Sequence, residues 1–208
     1  DVVFSIVEWE KEKYWRYIAK SEKVKNLPYY LPQSYYQEVE QVPKKNQCVC
    51  LMSTTEGVIP LLRDAATRFS ENVDGLGELL PDWKFFVTGN LSRSKIEMID
   101  RVEVSGLLET PFPLLAESRC MALLSNLGYG FKTKILDAIQ SKCYILVLSG
   151  LYARLPDEVK PYCIVVDEKS PNSFVSALEQ SKMPFPDGDP NQLFKKKAWF
   201  ILDQVLGE

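Results

Sequence analysis

The stretch "GYGFKTKILDA", Gly128 to Ala138, sets two glycines around an aromatic residue, then Lys132 and Lys134, then an acid, Asp137. Gly128 and Gly130 tolerate φ > 0 and let a ligand approach the main chain closely, and the two lysines bring positive charge to the place where a helix would begin. That combination fits a phosphate. Asp137 stands two helical turns beyond Gly130, where a carboxylate would accept hydrogen bonds from ribose hydroxyls. The same residues also fit a plain turn followed by solvated lysines and a surface aspartate. Neither GxGxxG nor GxxxxGK[ST] occurs here, so no dinucleotide or P-loop fingerprint is present.

The chain has no histidine. A histidine nucleophile triad, a histidine metal cage and a histidine general base are therefore excluded within these residues, which leaves carboxylates, lysines and backbone dipoles to carry any chemistry. With 208 residues, 46% hydrophobic and 25% charged, the chain has the composition of an ordinary globular domain, with or without an appendage. A net charge of −3 and a pI near 5.3 give no global basic field, so nucleic acid is not an expected partner and any anion site must be local. Five cysteines, Cys48, Cys50, Cys120, Cys143 and Cys163, lack CxxC spacing and read as buried reduced thiols in a cytoplasmic protein. No apolar run reaches the roughly 18 residues of a membrane span, and no signal peptide opens the sequence. The opening "DVVFSIV" begins as if in mid-strand, which suggests an excised piece.

Several segments are positioned to build the site. "DVVFSIVEW" is strand-like, and "EKEKYWRYIAKSEKV" carries charges and aromatics at helical spacing, with Glu8, Glu10, Glu12, Lys11 and Lys13 on a solvent face. The Pro- and Tyr-rich segment 26–46 reads as a linker. Its Tyr29, Tyr30, Tyr35 and Tyr36 would pack it on the core or form an aromatic platform. Six apolar strands follow in "QCVCLMST", "DWKFFVTGN", "RVEVSG", "CMALLS", "CYILVLS" and "YCIVVD". Between them "EGVIPLLRDAATRFSEN" puts Val58, Leu61, Leu62, Ala65, Ala66 and Phe69 on one helical stripe, "GFKTKILDAIQSK" is helical, and "SPNSFVSALEQ" starts a helix with Ser170 at the N-cap and Pro171 at N1. Near-continuously apolar strands alternating with helices indicate an α/β, Rossmann-like, doubly wound parallel sheet of about six strands with helices on both faces. Cys48, Leu51, Phe86, Val87, Leu123, Ile145, Val147 and Val165 are its expected core. In such sheets ligands lie beyond the carboxyl ends of the strands, where "LLSNLGYGFKTKILDA" falls. "NQLFKKKAWFILDQVLGE" is a terminal helix whose three lysines and aromatics fit either a solvated face or contact with anionic lipid.

The block "VEVSGLLETPFPLLAESRCMALLSNLGYGFKTKILDAIQSKCYILVLS" resembles the C-terminal, nucleotide-sugar-binding lobe of retaining glycosyltransferases of the two-lobed GT-B type, family-4-like. "LPDWKFFVTGN" is similar to the preceding strand and its Gly. "DVVFSIVEWEKEKYW" looks like the last strand and helix of a first lobe, "VKNLPYYLP" like the interlobe linker, and "KAWFILDQVL" like the final helix crossing back. The resemblance implies residues 1–45 as the end of an N-terminal lobe plus linker, 46–190 as a nucleotide-sugar-binding domain and 191–208 as the C-terminal helix. It further implies that Gly128, Tyr129, Gly130, Phe131, Lys132, Thr133 and Lys134 hold the donor's diphosphate, that Asp137 binds ribose, and that Gly106, Leu107 and Leu108 face the base.

The substrate would be a nucleoside diphosphate sugar. No separate cofactor or metal is required, because helix dipole and lysines supply the charge. The acceptor, a glycan, lipid or small molecule, would sit on a missing N-terminal lobe, with work in the cytoplasm or at the inner membrane face. No catalytic residue is assigned within this chain. It departs from the family pattern in three places. "STTEGVIPLL" lacks the Arg and Lys that many members carry after the first strand of this lobe, Asp137 replaces a glutamate, and an upstream glutamate is absent, with Asn126 and Tyr129 nearby. A noncatalytic nucleotide-binding or protein-interaction domain of this fold, or a GT-B-like nucleotide-sugar epimerase, is the alternative.

Overall fold

A computed structural model describes residues 2–18, 23–32, 42–52, 59–89, 100–126, 131–170 and 172–207. Six strands, β3 (Lys45–Cys50), β4 (Lys84–Thr88), β5 (Val102–Gly106), β6 (Ser118–Leu123), β7 (Tyr144–Leu148) and β8 (Cys163–Val166), form one all-parallel sheet in the order β5-β4-β3-β6-β7-β8. Each corresponds to one of the six apolar runs. Because side chains alternate across a strand, residues such as Cys48, Cys50, Phe85, Val87 and Leu146 face one core and Val49, Phe86, Met121, Ile145 and Val147 face a second.

The first face is covered by α2 (Ile59–Asp74) and α6 (Ser173–Gln180). Ala65, Ala66 and Phe69 lie buried on the stripe of α2, and the Phe69 ring meets Phe85 at 6.2 Å and Phe174 at 6.4 Å, both edge-on. Val58 lies outside the described residues. The second face takes α3 (Phe112–Glu117), α4 (Lys134–Gln140), α5 (Ser149–Tyr152) and the long α7 (Pro190–Leu206). Asp189 caps α7, its Oδ1 accepting from the Gln192 amide at 3.1 Å, and Pro190 takes N1. All five thiols are free, four buried and Cys163 partly so.

Three expectations change. Val165 is 38% exposed, because β8 is the edge strand and the helical cover of that face ends before it. The helix α6 begins later than "SPNS" suggests. Its N-cap is Asn172, the Ser173 amide closes a turn on the Ser170 carbonyl at 2.9 Å, and Ser173 Oγ is occupied by the Asp167 amide at 2.7 Å. Pro171 lies outside the described residues. Among the described residues of "EKEKYWRYIAKSEKV" the helical spacing is realised in α1 (Glu8–Lys13) and a 3-10 turn (Trp15–Tyr17), and Val24–Asn26 forms a short strand, β2. It pairs in parallel with β1 (Val3–Ser5), so this small unit is itself a strand–helix–strand crossover.

No residue of α1 is buried, as its charge pattern predicts. The linker after β2 is tied to α7. Asn191 Oδ1 accepts from the Leu31 amide at 2.6 Å and its Nδ2 donates to the Leu31 carbonyl at 3.3 Å. Tyr29 and Tyr30 pack on the second core, while Tyr35 and Tyr36 lie outside the described residues. Val2, Phe4 and Ile6 of the small unit and Trp199 and Phe200 of α7 stay exposed.

Two strand ends rely on glycine. Gly89, just after β4, has φ +95°, and a Cβ there would stand 2.9 Å from Met52 Cβ. Gly106, closing β5, has φ +68° with open space around it. The Gly89 amide donates to the Gly106 carbonyl at 2.5 Å, so both strands turn together. Urea unfolding should show Gly89→Ala losing about 2–3 kcal/mol from backbone strain plus collision. Gly106→Ala should lose about 1 kcal/mol from strain alone, and equal losses would remove the collision with Met52.

Candidate functional site

The chain runs β3, β4, β5 to one side of the sheet and then returns to place β6, β7, β8 on the other. At the carboxyl ends of β3 and β6 the connections therefore leave in opposite directions, and the crevice that opens there is the usual ligand position of such sheets. A cleft of about 240 Å³ occupies it. Its floor is Leu51 and Met52 after β3, one wall is Thr88 and Gly89 with Leu107, Leu108 and Pro111, and the other wall is Lys134 and Asp137 of α4. The missing Cβ at Gly89 keeps the β4 end close to Met52, and Thr88 Oγ1 accepts from the Met52 amide at 3.1 Å.

Asp137 is 8% exposed, which sets aside the reading of it as a surface aspartate. Its neighbours Ile135, Leu136, Ala138 and Ile139 are all buried, so the apolar stripe that seats α4 on the sheet carries the carboxylate inward with it. Its Oδ1 is buried and has no hydrogen-bond partner among the described residues. Burial pushes the carboxyl up to about 6, against the pull of the Lys134 ammonium. Lys134 donates from Nζ to the Leu51 carbonyl at 2.5 Å, and burial lowers its pKa while Cys50 and Asp137 raise it. An ammonium has three donors, so after Leu51 it retains capacity for an anion in the cleft. A lysine and a carboxylate with an unfilled acceptor thus share one apolar-walled crevice, an arrangement that can hold a phosphate beside a hydroxyl-bearing group.

Among the other described residues singled out by sequence, Leu107 and Leu108 line this cleft, whereas Gly106, Phe131, Lys132 and Thr133 are not part of its lining. Leu107 and Leu108 are exposed on its rim, following Gly106. Lys132 is half-buried and makes no hydrogen bond or ion pair with a described residue; burial, and then the charge of Arg154, lower its pKa. Thr133 is exposed at the N-cap of α4 and its side chain makes no capping bond. Phe131 turns its ring into an aromatic row with Tyr29 at 6.4 Å and Phe194 at 6.3 Å, so its side chain ties linker, loop and α7 together. Gly128, Tyr129 and Gly130 lie outside the described residues. Sequence reasoning did not place Leu51, Met52, Thr88 and Pro111 at the site; the signal available for them was the pair of glycines, 89 and 106, that end two successive strands.

No family model and no curated protein matches this chain. Solved structures do. The Anabaena protein HepE, in complex with UDP and glucose, has a TM-score of 0.65 at 11% identity over 100% of this chain and 63% of its own. WaaG, a glycosyltransferase involved in lipopolysaccharide biosynthesis, has a TM-score of 0.63 at 15% identity over 99% and 62%. The lipopolysaccharide outer core galactosyltransferase WaaB, in apo form, gives 0.57 at 14% over 87% and 52%. The chain has the fold of the C-terminal lobe of GT-B glycosyltransferases. It spans 52% to 63% of the length of these three structures.

The raised pKa of Asp137 has a stability consequence. Between its unfolded value of 3.8 and the folded value of about 6 the native state retains a proton that the unfolded chain has lost. Stability from this group is therefore full below about 4 and is lost as pH rises through about 6, a change of about 3 kcal/mol. Denaturant titrations at stepped pH should show this fall in the wild type and its absence in Asp137→Asn. Parallel pH profiles for the two proteins would contradict the burial of a titrating carboxylate.

Proposed function

We propose that this chain is the donor-binding lobe of a glycosyltransferase and that the cleft between β3 and β6 takes a nucleoside diphosphate sugar. The observation that carries the reading is the buried Asp137 with its unfilled Oδ1, beside Lys134 at the topological switch point. An ionised carboxylate held in an apolar wall is costly unless donors reach it, and a ribose offers two adjacent hydroxyls. The solved complexes of HepE with UDP and with UDP-glucose support a uridine donor.

In this reading the diphosphate lies between Lys134 and Lys132, the ribose on Asp137, and the base against Gly106, Leu107 and Leu108, where main-chain groups discriminate. The transfer breaks the bond between the sugar and the diphosphate, so negative charge grows on the leaving oxygen. The lobe's task is to stabilise that charge with fixed cations in a site shielded from water. The acceptor, a glycan, lipid or small molecule, belongs to another lobe, toward which the exposed Val2, Phe4 and Ile6 of the β1–α1–β2 unit would face. Trp199 and Phe200, exposed beside Lys196 on α7, would give that lobe or a membrane surface a contact, and cytoplasmic work on a nucleotide sugar agrees with this assignment.

The absence of any lysine or arginine in residues 53–62 favours a second reading, a domain that binds nucleotide without transferring sugar. Calorimetry with UDP-glucose tests the site itself. The double change Lys132→Ala with Lys134→Ala should weaken binding by about 1–3 kcal/mol, the scale of charge-assisted hydrogen bonds. Asp137→Asn should weaken uridine and UDP-glucose alike while leaving pyrophosphate untouched. Undiminished UDP-glucose affinity in both variants would remove the nucleotide from this cleft. Turnover of UDP-glucose by a full-length protein containing this lobe would separate transferase from binding domain.

A further inference from the structure

A larger groove lies apart from the β3–β6 cleft. It is a space of about 400 Å³ between the β1–α1–β2 unit and the segment that follows α5, with Val7, Trp9, Pro28, Leu155 and Phe194 in its apolar lining. A second space of about 340 Å³ adjoins it along α7, and Glu8, Asn26, Pro28 and Lys197 line both. No described residue lines both this groove and the β3–β6 cleft.

Three carboxylates of the 400 Å³ space are held by ion pairs within the chain. Glu8 is paired with Lys11 at 2.8 Å, Asp157 with Lys160 at 2.7 Å, and Glu158 with Lys197. Each charge is thereby matched by an ammonium, yet a carboxylate offers about four acceptor positions and one lysine bond fills one of them. Asn26 of β2, where the two spaces meet, lacks such a partner. Its Oδ1 is buried and accepts from no described residue. A buried amide oxygen left unpaired is costly, so beside a cavity it calls for a donor. The terminal torsion of an asparagine is soft, and the amide turns toward the groove without any movement of β2.

This balance sets the chemistry of the occupant. An anion would meet three carboxylates, and a cation would find their charge already compensated by lysines. A neutral molecule rich in hydroxyls suits both. Each hydroxyl donates to a carboxylate or amide oxygen and accepts from an ammonium, while C–H faces lie on the apolar lining. We propose that this groove is a saccharide-binding site, separate from the donor cleft, with Asn26 as its central hydrogen-bonding residue. Its volume falls in the range of small-molecule pockets. The proposal stands independently of the nucleotide reading, because the two spaces are lined by different residues.

Maltose, lactose, cellobiose and N-acetyllactosamine, titrated into the protein with and without UDP and followed by NMR, test this. At least one should receive saturation from the protein and shift the Asn26 side-chain amide and Trp9 indole resonances, to the same extent with UDP present. Asn26→Leu should weaken that sugar about ten-fold, the scale of one hydrogen bond to an otherwise unpaired buried group. Should Asn26→Leu fail to fold, the wild-type shifts decide. Binding of none of these sugars, or binding that leaves the Asn26 and Trp9 resonances unmoved, overturns the site. So do shifts produced by inorganic phosphate but by no sugar, which would make the groove an anion site. A sugar displaced by UDP lies in the β3–β6 cleft, which overturns this proposal and leaves the nucleotide reading in place. A sugar bound at Asn26 in a chain that takes no UDP upholds this proposal and removes the nucleotide reading.

Discussion

The reversal of strand order between β3 and β6 is the constraint on which the remaining geometry depends. Parallel strands require long crossovers, and the chain uses two of them to reach β5 before it returns across the sheet to begin β6. Two neighbouring strands whose exits diverge cannot close over their own carboxyl ends. The space is bounded instead by the segments that leave the strands: Leu51 and Met52 below, Gly89 with Leu107 and Leu108 on one side, and α4 on the other. Glycine at 89 lets the β4 end approach Met52, and the buried stripe of α4 brings Asp137 and Lys134 over the gap.

Two half-buried lysines, one at each end of the sheet, differ in how fully the fold engages them. Lys44, at the foot of β3, donates to the Leu115 carbonyl at 3.1 Å and to the Ser141 carbonyl at 2.6 Å, meeting main-chain acceptors at the ends of α3 and α4. Burial lowers its pKa to about 8, and two of its three donors meet main-chain carbonyls. Lys134 at the opposite end has one carbonyl partner and a carboxylate whose Oδ1 has none. A lysine and a carboxylate whose pKa values are both moved by burial, lining one cleft, mark a candidate binding site.

The sheet was legible because its strands are apolar throughout. A parallel strand buried on both faces shows as an unbroken run, and each of the six runs became a strand. The edge obscured Val165, since an edge strand has the composition of a central one while only its neighbours determine its cover. The β1–α1–β2 unit was half legible: Val24–Asn26 is too short for a period, and its strand character comes from pairing with Val3–Ser5. At the site, Lys134 and Asp137 were legible as types at a spacing, but not the burial that distinguishes them from solvated charges. That burial is a property of α4 seated on the sheet.

The claim that the β3–β6 crevice is a nucleotide site is tested most directly by a crystal structure of the protein grown with UDP. There the ribose hydroxyls should lie within hydrogen-bond distance of Asp137, the diphosphate beside Lys134, and the uracil against the main chain at Leu107 and Leu108. UDP bound elsewhere on the chain, or a ribose pointing away from Asp137 with its Oδ1 still unpartnered, would contradict it.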